Sequence, residues 1–193
     1  MDSDQVDEAR ILETVGRVLR GEVAAFEIII KAYQGIVFRV CRSVLSNRED
    51  AEDAAQESFC RAFRLLRTFR LDKRFKPWIV SIALNTSRSF YRKRGRISAN
   101  TSPVAPEEVQ SSSSVEIEGE RAILKESIRA AVQRLPARLR DTVILYYLEE
   151  FDVSDVAAAL NIGKENVKSR LHRARGVLRE ILEKSATERS DNE

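Results

Sequence analysis

The spacing of apolar residues is the feature that most restricts how this chain can fold. Outside one central segment, apolar side chains recur at intervals of three and four residues, which places them on one face of an α-helix. Residues 26–44 show this pattern most clearly, and no stretch alternates apolar and polar residues over the length of a strand. The sequence therefore predicts an all-α protein.

One segment, residues 97–120, lacks the helical period. It contains two prolines, a run of four serines, five acidic residues and no basic residue. Such a composition cannot bury enough apolar surface to order itself. We therefore expect two small helical domains, residues 1–96 and 121–185, joined by a disordered acidic linker and followed by a disordered tail over residues 186–193.

The basic residues are concentrated at the end of the first predicted domain. Residues 61–96 hold twelve Lys and Arg against one Asp, whereas residues 1–60 hold seven against twelve acidic residues. A block of this density favours a polyanionic partner such as nucleic acid.

Other classes of protein are disfavoured by what the chain lacks. Two cysteines and one histidine leave almost no material for a zinc site, a disulfide framework or a histidine-based catalytic site. We therefore expect neither an enzyme nor a metal, a cofactor or a small-molecule substrate. The chain has no apolar run of the roughly 18 residues that a membrane span needs, and its acidic N-terminus is unlike a secretory signal. A cytoplasmic location is expected.

The C-terminal stretch "VSDVAAALNIGKENVKSRLHRAR" has the plan of a helix-turn-helix: a short helix, a tight turn containing Gly163 and a longer basic helix. Its apolar positions would face a small core, which turns Lys168, Ser169, His172 and Arg173 outward. Arg and Lys can bond guanine edges or phosphates. The alternative is a basic helix whose charged face is merely solvated.

A second pattern follows in the basic block. A helix predicted from Pro77 to Gly95 carries Ser81, Asn85, Arg88, Ser89 and Arg92 on one polar stripe. The preceding "TFRLDKRFKPW" interleaves aromatic and basic residues, as single-stranded nucleic acid requires for its bases and phosphates. The alternative is that the aromatic residues belong to the core and the basic residues only solvate the surface.

A third pattern is the stretch "DAEDAAQESFCRAF". Acidic residues in a first turn favour the helix dipole, but Asp53, Gln56 and Glu57 also form a polar patch that could dock a basic partner. From the residues alone, both interpretations remain open.

Together, these three stretches, in this order, resemble the extracytoplasmic-function (ECF) group of bacterial RNA polymerase sigma factors. The stretch "DAEDAAQESFCRAF" is similar to the polymerase-binding helix, and "FKPWIVSIALNTSRSFYRKR" to the region that melts and holds the minus-ten element. The region from "LPARLRDTVILYY" through "NVKSRLHRARGVLREIL" is similar to the domain that reads the minus-thirty-five element.

The resemblance implies a role for each group of residues. The residues implied to dock the clamp coiled coil of core polymerase are Asp53, Gln56 and Glu57. The residues implied to bind the minus-ten element are Arg61, Phe69, Trp78, Asn85, Arg88, Ser89 and Arg92. The residues implied to contact the minus-thirty-five duplex are Lys164, Asn166, Lys168, Ser169, His172 and Arg173. The flap of core polymerase and an anti-sigma factor, often membrane-bound, are further implied partners.

Two other functions compete with this one. A stand-alone helix-turn-helix regulator would use its N-terminal half for dimerisation or sensing and would bind a duplex tightly without polymerase. A polymerase adaptor would bind polymerase and not DNA. The basic, aromatic centre favours the sigma-factor interpretation, because a sensor domain does not need it.

Overall fold

The computed structural model describes residues 8–45, 47–99, 128 and 130–190. Its helices include α1 (Glu8–Leu19), α2 (Phe26–Val44), α3 (Arg48–Leu65), α4 (Phe75–Ala99), α5 (Ala137–Val143), α6 (Val153–Leu160) and α7 (Lys164–Ser190). Short 3₁₀ turns precede α2 and follow α3, and a π-helical turn, Ile144–Leu148, continues α5. These described residues contain no β-strand, which confirms the all-α prediction.

The first domain packs α2, α3 and α4 against one another, and α1 against α2. The apolar stripe of α2 supplies the centre of the core, where Val37, Val40 and Cys41 have no exposed surface. Asn47 caps α3, since its side-chain oxygen accepts the Asp50 N–H at 3.1 Å. The cap fixes where α3 begins, and burial of Ala51, Ala54 and Ala62 fixes which side of the helix faces the core.

Helix α4 is longer than the sequence predicts. It begins at Phe75, two residues before Pro77, and continues through Gly95 to Ala99. Proline is tolerated in a first turn, where its missing N–H would have no partner, and one glycine costs a helix only about 1 kcal/mol relative to alanine. Residues 97–99 of the predicted linker are thus helical, and residues 100–120 lie outside the described part.

The second domain packs α5, α6 and α7 around Val156, Val167 and Leu171. Asp152 caps α6 by accepting the Asp155 N–H at 2.7 Å. Helix α7 continues to Ser190, so residues 186–190 are helical rather than part of a disordered tail. Residues 191–193 lie outside the described range.

Candidate nucleic-acid interface

Helices α6 and α7 form a helix-turn-helix whose basic face points away from the core. Val167, Leu171 and Ala174 are at most 3% exposed and fix the rotation of α7. The six candidate DNA contacts on this helix are all exposed: Lys164, Asn166, Lys168, Ser169, His172 and Arg173. All six are therefore accessible to a ligand.

The turn between α6 and α7 depends on Asn161 rather than on Gly163. Asn161 has a left-handed backbone, with φ 52° and ψ 53°, and the following Ile162 N–H donates to the Ala157 carbonyl at 3.0 Å. Asparagine is among the few residues that adopt this conformation readily. Gly163 has no positive φ, and an added Cβ would meet nothing within 4 Å. In the stretch "NIG", the residue that makes the turn is therefore Asn161 and not Gly163.

Two pairs on the exposed face of α7 pre-arrange its side chains. Lys168 Nζ lies 2.8 Å from Glu165 Oε1, and Arg173 Nη2 donates to Ser169 Oγ at 2.9 Å. Pairs this exposed stabilise a helix by only about 0–1 kcal/mol. They can therefore be exchanged for phosphate or base contacts at low cost.

The polar stripe on α4 lies on one face, as the sequence predicts. Asn85 and Arg92 are exposed, while Arg88 and Ser89 are half-buried. Arg88 Nη1 donates to Asn85 Oδ1 at 3.0 Å, and the Ser89 hydroxyl donates to the Asn85 carbonyl at 3.0 Å. The Asn85 amide is thus oriented by Arg88, with its NH₂ group directed away from that bond.

The aromatic residues beside the stripe form a cluster of edge-to-face and tilted ring contacts. Phe69, Phe75 and Trp78 have ring centroids 5.1–5.2 Å from one another. Phe75 is fully buried and Phe69 is 7% exposed, so the core interpretation applies to both of these rings. Trp78 is half-buried. It is therefore the ring of the three with the most surface to offer a ligand.

Arg61 lies on α3, where its Nε donates to Glu57 Oε1 at 2.7 Å. Arg64 reaches the same carboxylate at 3.0 Å. The hydrogen bond from Arg61 is the main reason that the pKa of Glu57 lies below its ordinary value. A predicted minus-ten residue and a predicted polymerase contact are thus paired with each other, which the sequence analysis did not anticipate.

The other two residues predicted to bind polymerase are accessible to a partner. Asp53 and Gln56 are exposed on the same side of α3 as Glu57, and Cys60 is exposed one turn further on. The patch can accept hydrogen bonds through Asp53 and both donate and accept through Gln56.

A cavity of about 860 Å³ lies beside the aromatic cluster. The first domain lines it with Phe69, Arg74 and Trp78, and the second domain with Asp155, Asn161 and Lys164. Local sequence patterns do not predict this cavity, because the cavity forms only where α6 packs close to α4. Those two helices are in contact across the two domains.

Contacts between the domains include ion pairs. Arg74 Nη1 donates to both carboxylate oxygens of Asp155, at 2.7 and 2.6 Å. Arg88 Nη2 donates to Asp141 Oδ2. Burial raises the pKa of Asp155 and of Asp141, and the paired arginine opposes the rise in each case.

Within the residues that the structure describes, no group of three His, Cys, Asp or Glu side chains could hold a metal ion. None of the described helices combines the length and the apolar character needed to cross a membrane.

Comparison with known proteins decides the family. Residues 29–97 match the model "Sigma-70 region 2", and residues 125–178 match "Sigma-70, region 4". The chain is 30% identical to the ECF RNA polymerase sigma factor SigW of Bacillus subtilis, over 91% of this chain and 98% of SigW. It is 32% identical to the RNA polymerase sigma-H factor of Pseudomonas aeruginosa, over 89% of this chain and 93% of that protein. The chain belongs to the ECF group of RNA polymerase sigma factors.

Solved structures of related proteins agree with this assignment. The sigma factor RpoE of Bartonella quintana, in complex with the anti-sigma factor NepR, is 26% identical with a TM-score of 0.64, covering 82% of this chain and 96% of that one. CnrH, in complex with the cytosolic domain of CnrY, shares the fold at 21% identity and a TM-score of 0.67, over 89% and 96% of the two chains. The resemblance seen in the sequence is thereby confirmed. As an ECF sigma factor, the chain is a DNA-binding transcription regulator that acts in initiation.

Proposed function

We propose that this sigma factor directs core RNA polymerase to promoters through two DNA-binding faces on separate domains. The observation that carries the proposal is that α4 and α7 each bury an apolar side and present a polar, basic one. The first face would hold a melted minus-ten strand, and the second would read the minus-thirty-five duplex. No covalent chemistry is required of the chain.

The minus-ten role rests on α4. Asn85 can hydrogen-bond the edge of an unstacked base, because its amide carries both a donor and an acceptor. Arg88 and Arg92 offer cations for the flanking phosphates, with Ser89 between them, and Trp78 supplies a flat apolar surface. Extracting a base costs a few kcal/mol, and its capture in this pocket would offset that cost and favour the open complex.

Phe69 and Arg61 have smaller proposed roles at the minus-ten element. Phe69 is nearly buried and would act by supporting Trp78. Arg61 would contact a phosphate only after leaving Glu57.

The minus-thirty-five role rests on the outward face of α7. Arg173 and Lys168 are suited to guanine edges or phosphates, and Ser169 is small enough to let the helix approach the groove. Lys164, Asn166 and His172 would extend the same face along the helix. Each good base contact is worth about 1–3 kcal/mol of discrimination.

The polymerase role rests on the α3 patch. Asp53, Gln56 and Glu57 would dock the clamp coiled coil, and the second domain would engage the flap. Two modest DNA contacts made through one polymerase gain affinity by effective concentration, without any new contact.

An anti-sigma factor is proposed as the regulator. The support is the related RpoE of Bartonella quintana, whose structure is a complex with the anti-sigma factor NepR. The protein would act in the cytoplasm at the nucleoid, and a membrane-bound anti-sigma factor would hold it at the inner membrane until release.

Run-off transcription with purified core polymerase and a genomic promoter library tests the proposal. The chain should start specific transcripts only with polymerase present, and Arg173→Ala should reduce them. Unimpaired initiation by that variant would favour a polymerase adaptor. Tight, specific duplex binding by the chain alone would favour a stand-alone regulator.

A further inference from the structure

Helix α4 carries the proposed minus-ten face, but its own sequence supplies no side-chain cap. The first four N–H groups of a helix have no partner within it and need an acceptor from outside. The residue before α4 is Arg74, whose side chain has no acceptor, and the first turn contains no acidic residue. Asp72, the nearest acidic residue before α4 in the sequence, accepts from Arg70 at 3.0 Å instead. A side-chain acceptor for this end of α4 therefore has to come from elsewhere in the chain.

The acceptor is Glu8, the first residue of α1. The Phe75 N–H, at the start of α4, donates to Glu8 Oε1. Glu8 is half-buried, and it precedes Ile11 and Val15, which are 2% and 0% exposed and hold α1 against the first domain. Positions i, i+3 and i+7 share one face of a helix. The burial that anchors α1 therefore also directs Glu8 toward α4.

The capped residue lies at the centre of the aromatic cluster. Phe75 is fully buried, and its ring centre lies 5.1–5.3 Å from the ring centres of Tyr33, Phe69 and Trp78. Burial raises the pKa of Tyr33, and the negative charge of Glu8 adds to the rise. The Glu8 carboxylate thus lies beside this cluster as well as at the end of α4.

The hydrogen bond to Glu8 controls how the minus-ten face begins. A buried N–H without a partner is costly, so without Glu8 the first turn of α4 would unwind until the Phe75 N–H reached water. Unwinding would withdraw Phe75 from its contact with Trp78, the ring of the cluster with the most surface for a base. Asn85 lies seven residues after Trp78 and so on the same side of α4. Both residues would lose their placement relative to the rest of the domain.

We propose that Glu8 is a positioning residue for minus-ten recognition, which caps α4 from a separate helix. This inference rests on the proposed minus-ten role of α4. Glu8 need not contact DNA: its carboxylate holds the Phe75 N–H, and Phe75 supports Trp78. Helix α1 lies outside the segment that matches "Sigma-70 region 2", which begins at residue 29. The match itself therefore assigns no role to Glu8.

The test compares Glu8→Ala with Glu13→Ala in the full chain. Both variants remove one glutamate from α1, and Glu13 is exposed. A third variant, Glu8→Gln, keeps a side-chain oxygen at the same reach. Each variant is assembled with core polymerase, and anisotropy measures binding of a labelled single-stranded minus-ten oligonucleotide and of a minus-thirty-five duplex. Permanganate reactivity of unpaired thymines measures promoter melting. Emission of the free chain reports on Trp78, the single tryptophan.

Glu8→Ala should bind the single strand about 2- to 30-fold more weakly than Glu13→Ala, which is the range that loss of a helix cap produces. Promoter melting should fall with it, and Trp78 emission should shift. Affinity for the duplex and for core polymerase should match that of Glu13→Ala. Glu8→Gln should recover most of the lost binding, because its amide oxygen can accept the same hydrogen bond. Equal single-strand binding by Glu8→Ala and Glu13→Ala would overturn the proposal.

A general loss of stability is distinguished by Val15→Ala. This variant removes buried carbons from the same helix and leaves Glu8 unchanged. At a temperature where thermal melts show every variant to be folded, Val15→Ala should bind the single strand as Glu13→Ala does. An equal loss of binding in Val15→Ala and Glu8→Ala would mean that α1 only stabilises the first domain, and the proposal would be wrong.

Asn85→Ala separates this inference from the proposed function on which it rests. Unchanged single-strand binding by Asn85→Ala would refute the minus-ten role of α4, and this inference with it. Weaker binding by Asn85→Ala together with unchanged binding by Glu8→Ala would overturn the inference alone and leave the proposed function standing.

Discussion

Leu171 and His172 are neighbours on α7 with opposite environments, and this contrast gives the sharpest test of how the recognition helix is oriented. Leu171 is 3% exposed in the core of the second domain, whereas His172 is exposed. Leu171→Ala removes buried carbons and leaves a cavity, at a cost of about 2–5 kcal/mol. Because a small domain has a total stability of only roughly 0.05–0.15 kcal/mol per residue, this loss should unfold much of the second domain.

His172→Ala should act on DNA alone. An exposed substitution away from special features changes stability by less than about 0.5 kcal/mol, but loss of a base or phosphate contact should cost about 1–3 kcal/mol, or roughly 5- to 150-fold in affinity. Both variants should keep the polymerase contact made by the α3 patch, since that patch lies in the other domain.

Circular dichroism melts of the full chain measure the stability of each variant, and run-off transcription with core polymerase measures promoter use. If His172→Ala lowered the melting temperature as much as Leu171→Ala, α7 would have to be rotated about its axis from the orientation described above. The same conclusion would follow if Leu171→Ala melted like the unchanged chain.

Two further outcomes are expected. Asn161→Ala should lower the free energy of unfolding by about 1–2 kcal/mol because Asn161 has a left-handed backbone. Gly163→Ala should leave the melting temperature unchanged. A larger loss of stability in Gly163→Ala than in Asn161→Ala would contradict the assignment of the turn. Burial raises the pKa of the Cys41 thiol to about 11, so maleimide at pH 7.5 should label only Cys60. That label should block polymerase binding. Labelling of the Cys60→Ser variant would show that Cys41 is reactive and contradict the prediction.

Sequence patterns predicted the faces of the helices well, because those faces follow from local spacing. The inward positions Val167 and Leu171 and the outward positions Lys168 and His172 are where the helical period places them. Helix ends were predicted less well. Gly95 does not end α4, and the turn before α7 depends on Asn161, because these ends result from small local energies that neighbouring residues can outweigh.

The contact between the domains could not be predicted from local patterns at all. Asp141 pairs with Arg88 across 53 positions in the sequence, and Asp155 pairs with Arg74 across 81. On their own helices, both aspartates look like ordinary surface acids. Asp155 lies on α6, which packs against α4, and Asp141 lies on α5, yet both side chains are buried in the folded chain.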